Sequence, residues 1–97
     1  MQVEEQNKDI YSLLARMKTK LETMRQEAKE EQARCFALLH DALVYSAHKM
    51  HLLSAGSLVE FIELTAWTVR EKEPGKDHYR AMEQKLKFLG FSIEPAN

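Results

Sequence analysis

The chain has 97 residues, 44% of them hydrophobic and 30% charged, with 14 basic residues against 15 acidic ones. That length supports one domain with one small core. A net charge of −1 excludes both a globally basic nucleic-acid binder and an acidic mimic of DNA. The longest apolar run falls well short of the roughly 18 residues that a membrane span needs. The first residues lack the positive flank and apolar stretch of a secretory signal. A single cysteine, Cys35, excludes an internal disulfide framework and fits a reducing, cytoplasmic setting.

All three glycines and both prolines lie beyond residue 55, and residues 1–53 are crowded with Glu, Lys, Gln, Arg, Met, Leu and Ala. These are good helix formers, so the stretch is predicted to be one helix from Glu4 or Glu5 to Leu53. Such a helix would run roughly 70–75 Å. Val3, Ile10, Met17 and Met24 recur every seven residues, with Leu14, Leu21 and Ala28 between them. This is a narrow 4–3 seam like that of a coiled coil. It lapses from Arg25 to Arg34, where Glu31 takes a seam position, and resumes with Cys35, Leu38, Ala42, Tyr45 and Leu52. Residues 3–30 are thereby left without a partner in their own chain, which predicts a homo-oligomer. The alternative is a break near residues 29–33, formed without glycine or proline, that folds the arm back as a fourth helix.

Gly56 suits the end of the long helix, and Ser57 to Glu60 reads as a capping box opening a second helix to about Lys72 or Glu73. Its predicted inward face is Leu58, Phe61, Ile62, Thr65 and Val69. Pro74 and Gly75 close it. Asp77 is a fair N-cap for a third helix, carrying Tyr79, Met82, Leu86 and Leu89 and ending near Gly90. Residues from Phe91 alternate apolar and polar, which predicts an extended tail. The expected fold is all-α and a single domain. It has a helical arm (1–32), a helical core with a C-terminal hairpin (33–90) and a short tail (91–97).

Chemistry is sparse. His48 and His51 share a helix face, but no further ligand at metal spacing completes a site. Arg34 and His40 resemble the loose Arg-x(4–6)-His pattern of the HEPN ribonucleases, over two residues. On one helix they project about 120° apart, which argues against joint action. Cys35 falls on the apolar seam, where a thiol acts as a small hydrophobe. Neither a nucleophile elbow nor a glycine-rich phosphate loop is present. No enzyme activity, metal or cofactor is therefore expected. The basic clusters Arg16, Lys18, Lys20 and Lys76, Arg80, Lys85, Lys87 are interrupted by acids, so nucleic acid is possible but not favoured.

Trp67 stands in this reading on the charged outer face of the second helix, with Glu60, Glu63, Arg70 and Glu71. A tryptophan there looks like an interface anchor. Leu64 would extend the patch, and Met17 and Met24 of the soft seam are further contact candidates. The sequence thus points to non-catalytic binding of another protein through Trp67, Leu64, Arg70, Met17 and Met24. An inhibitor or modulator of a larger host enzyme, of the kind phages and plasmids encode, is the favoured role. A nucleic-acid-binding oligomer and a secretion-type chaperone are the alternatives.

Overall fold

The computed structural model describes the backbone of residues 2–47, 54–71 and 73–94, and the side chains of 12–47, 54–71 and 73–94. Four helices follow in order: α1 (Gln2–Glu27), α2 (Glu30–Ala47), α3 (Ala55–Arg70) and α4 (Lys76–Phe88). No strand occurs among the described residues, so the all-α expectation holds.

The single long helix does not. The chain bends at Ala28 and Lys29, and α1 lies back along α2, its principal neighbour. Helical bonding runs up to the bend, Ala28 N–H to Met24 C=O at 2.9 Å, and restarts beyond it, Ala33 N–H to Lys29 C=O at 3.0 Å. Neither glycine nor proline is needed. Helix propensity is a weak preference, and tertiary burial outweighs it. Folding back buries Leu14 and Leu21 to 7% and 1% exposure, each contributing about 1.5–3 kcal/mol. Opening the bend would return both to water. Glu30 and Glu31 occupy the first turn of α2 and Arg25 the last turn of α1, each charge opposing its helix dipole.

The fold-back removes the premise of the oligomer expectation, because α1 finds its partner within the chain. A polar seam reinforces it. His40 Nε2 stands 3.2 Å from Glu22 Oε1, its Nδ1 stands 3.2 Å from Asp41 Oδ1, and Arg25 Nη1 reaches Asp41 at 3.9 Å. The side chains of Val3 and Ile10, together with His48, Met50, His51, Leu52 and Leu53, lie outside the described residues.

Helix α2 is the centre of the molecule, in contact with α1, α3 and α4. It buries Cys35, Phe36, Leu38, Leu39, Ala42, Leu43 and Ser46, on so much of its circumference that only a central position suits it. Gln32 Nε2, near its start, donates to the Thr68 and Glu71 carbonyls at 3.1 and 3.4 Å. The start of α2 therefore meets the end of α3, so the two run antiparallel, and α1 and α3 run the same way on either side of α2. Compactness follows, with a radius of gyration of 13.3 Å.

The N-cap of α3 is Ser54, whose hydroxyl accepts from Ser57 N–H at 3.1 Å. The helix thus starts earlier than the Ser57–Glu60 box implied, and Gly56 sits in its first turn. Ser57 instead donates its hydroxyl to the Leu89 carbonyl at 3.2 Å, tying α3 to the end of α4. Ser54→Ala is expected to lower stability by about 1 kcal/mol, and Ser54→Gly by only a few tenths, read from urea unfolding midpoints.

Gly75, not Asp77, caps α4. Gly90 ends that helix at φ 92°, a conformation L-residues avoid. Gly90 N–H bonds the Lys87 carbonyl at 3.1 Å and Phe91 N–H bonds the Leu86 carbonyl at 2.9 Å. The reversal drops Phe91 into the core at 4% exposure, its ring 5.0 Å from that of Phe61. Beyond it, Ser92 N–H donates to Ser46 Oγ at 2.7 Å and Ile93 packs partly buried against the core.

Candidate interaction groove

Helices α1 and α3 both rest on α2 but scarcely touch one another. Between them lies an open groove of about 980 Å³. Its α1 wall carries Leu13, Met17 and Met24, its α3 wall Ile62, Ala66 and Val69, and Phe36 and Phe61 are also in its lining. Arg16, Lys20, Glu27 and Arg70 complete the charged part of that lining, and all four are exposed.

The α3 wall corrects the sequence reading of that helix. Leu58, Phe61, Leu64 and Thr68 are its buried residues, while Ile62 and Val69 stand 44% and 47% exposed. The inward face is rotated by about 60–70° from the predicted one at 100° per residue. Two apolar stripes run side by side on α3. One, Leu58–Phe61–Leu64, fills the core. The other, Val59–Ile62–Ala66–Val69, recurs at i, i+3, i+7 and i+10 and faces outward.

The five sequence-predicted contact residues separate accordingly. Met17, Met24 and Arg70 meet in the groove. Leu64 is 6% exposed and belongs to the core, so it cannot extend a surface patch. Trp67 is half-buried, its ring centroid 3.9 Å from that of His78 at a 46° tilt. It packs toward α4 rather than projecting freely from a charged face. Leu13, Arg16, Lys20, Ile62 and Val69 escaped the sequence reading as contact residues. The 3–4–3 spacing of the second α3 stripe is the signal that could have found two of them.

Behind Trp67, His78 is 8% exposed, with Nε2 3.1 Å from Thr68 Oγ1. That hydroxyl donates to the Leu64 carbonyl at 3.0 Å. The same hydroxyl lies 3.1 Å from Met82 Sδ, so Thr68 of α3 meets both His78 and Met82 of α4. Burial holds the His78 pKa below the ordinary 6.5, against the opposing charge of Glu71. The unfolded chain therefore takes up this proton first on acidification. The stability contributed by neutral His78 is complete above about pH 6.5 and is lost as pH falls toward the lower folded value. Urea unfolding at about pH 7.5 and 5.5 is expected to show lower stability at the acidic pH, and His78→Gln to flatten the difference.

Arg34 and His40 serve different neighbours. Arg34 pairs with Glu31 at 3.7 Å and lies 5.5 Å over the Tyr79 ring of α4, whereas His40 faces Glu22 of α1. The structure does not bring them together. Cys35 is 1% exposed. Its thiol pKa is pushed up by burial and then by Glu31, with Arg34 opposing, which disfavours the reactive thiolate. Among the described residues, no three His, Cys, Asp or Glu side chains cluster at metal-binding distance. Nor is any helix among them long and apolar enough to cross a membrane.

Comparison of the chain with protein-family models, curated proteins and solved structures gives no match.

Proposed function

We propose that this chain is a non-catalytic protein-binding module, acting as an inhibitor or modulator of a larger host enzyme in the manner of small phage- or plasmid-type regulators. The groove between α1 and α3 carries this reading. Valine and isoleucine half exposed along a helix, opposite two methionines, form a contiguous apolar surface of the kind that marks an interaction site. Methionine walls adapt to the partner they meet. The modulating role is the one that small size favours: a single groove can cover or hold part of a larger protein.

A photo-cross-linking side chain placed at Val69, with Arg80 on the far helix as control, tests this in cells. The expected result is a discrete adduct with a larger protein at Val69 and none at Arg80. Adding the purified chain should then change the captured enzyme's rate, and the Val69→Asp form should not. Adducts at both positions alike, or only the mass of two chains at Val69, would contradict the proposal.

A further inference from the structure

The charges around the groove identify the kind of partner it fits. Three of the four charged lining residues are basic, Arg16, Lys20 and Arg70, against the single acid Glu27. The groove is thus locally positive in a chain whose net charge is −1. Arg25, Arg34, Lys85 and Lys87 each have a carboxylate within 4.0 Å. Arg16, Lys20 and Arg70 have none among the described residues, so their charge is directed to solvent and to whatever enters. The basic residues also stand on both walls. Arg16 and Lys20, four apart, occupy one face of α1, and Arg70 is on α3.

The shape of the groove selects a helix. Two helices running the same way on a third leave a slot that a further helix can fill, ridges into grooves. Its apolar walls repeat at helical intervals, Leu13, Met17 and Met24 against Ile62, Ala66 and Val69. This is the helix-in-groove mode, in which the guest's residues at i, i+3 or i+4, and i+7 enter the slot.

We infer that the groove receives an acidic amphipathic helix of the partner protein, with an apolar stripe between Met17, Met24, Ile62 and Val69 and Glu or Asp on both flanks toward Arg16, Lys20 and Arg70. This rests on the protein-binding reading above and adds the chemistry of the guest. Two helical peptides of roughly 18 residues test it, alike in their leucine stripe, one flanked by glutamates and the other by lysines. Binding to the full chain is followed by fluorescence anisotropy at about 0.05 and 0.5 M salt. The acidic peptide should bind about tenfold or more tightly than the basic one at low salt, with the difference shrinking at high salt. The triple variant Arg16→Glu, Lys20→Glu, Arg70→Glu, all at exposed positions, should reverse the preference while keeping its helical signal. Equal binding of the two peptides overturns the acidic guest but leaves the groove as a protein site. If neither peptide binds and Val69 gives no cross-link, both readings fall. A chain that light scattering finds dimeric, with neither peptide able to dissociate it, assigns the groove to a second copy and overturns the inference.

Discussion

Phe61→Ala is expected to destabilise the protein by about 3–5 kcal/mol, the cost typical of emptying a buried phenylalanine site. Phe61 is fully buried and lines the groove. It also meets the Phe91 ring that the Gly90 reversal delivers into the core. Its loss therefore loosens the attachment of the C-terminal segment as well as the base of the binding surface. A domain of this size has roughly 5–15 kcal/mol of stability in total, so a large part of it is at stake. Equilibrium urea unfolding followed by circular dichroism measures the change. A loss under about 1 kcal/mol would mean that Phe61 does not hold the place in the core described here.

The second large effect is on binding and leaves the fold alone. Ile62→Asp with Val69→Asp is expected to abolish recognition of the acidic helix, weakening it at least about 100-fold. Hot-spot side chains contribute about 2 kcal/mol or more each, and the new carboxylates repel the guest's flanks. Both positions are close to half exposed, and surface changes of this sort shift stability by about 0.5 kcal/mol or less apiece. Anisotropy and unfolding on one preparation separate the two effects. Undiminished binding would show that the guest contacts another surface. Trp67→Phe is the instructive contrast. Trp67 packs on His78 and stands outside the groove lining, so this change should leave peptide affinity within about twofold.

Some of this structure is legible in the residues and some is not. Helix content follows from the composition of residues 1–53, and the buried seam positions Leu14, Leu21, Cys35, Leu38 and Ala42 follow from their spacing. The bend at Ala28 and Lys29 has no glycine or proline to mark it, only the lapse of the seam between Arg25 and Arg34. It is decided by where Leu14 and Leu21 find cover, a long-range gain that no breaker residue announces. On one long helix His40 and Asp41 would have no partner opposite them, yet once α1 folds back they face Glu22 and Arg25. Two adjacent apolar stripes run along α3, and the position of α2 determines which is covered. The predicted inward face straddles the two: Leu58 and Phe61 are buried as expected, whereas Ile62 and Val69 stand exposed and Leu64, expected at the surface beside Trp67, is in the core. Met17, Met24 and Arg70 could be named individually. Their meeting in one groove could not, because it requires the fold-back.

The most direct test of the groove is a methyl-labelled titration of the chain with the acidic peptide, observed by NMR. Met17 and Met24 of α1 and Ile62 and Val69 of α3 are predicted to shift together at the same peptide concentration, with the Leu64 and Met82 methyls and the Trp67 indole little changed. Shifts confined to one of the two helices, or gathered around Trp67, would contradict a binding surface built jointly by α1 and α3.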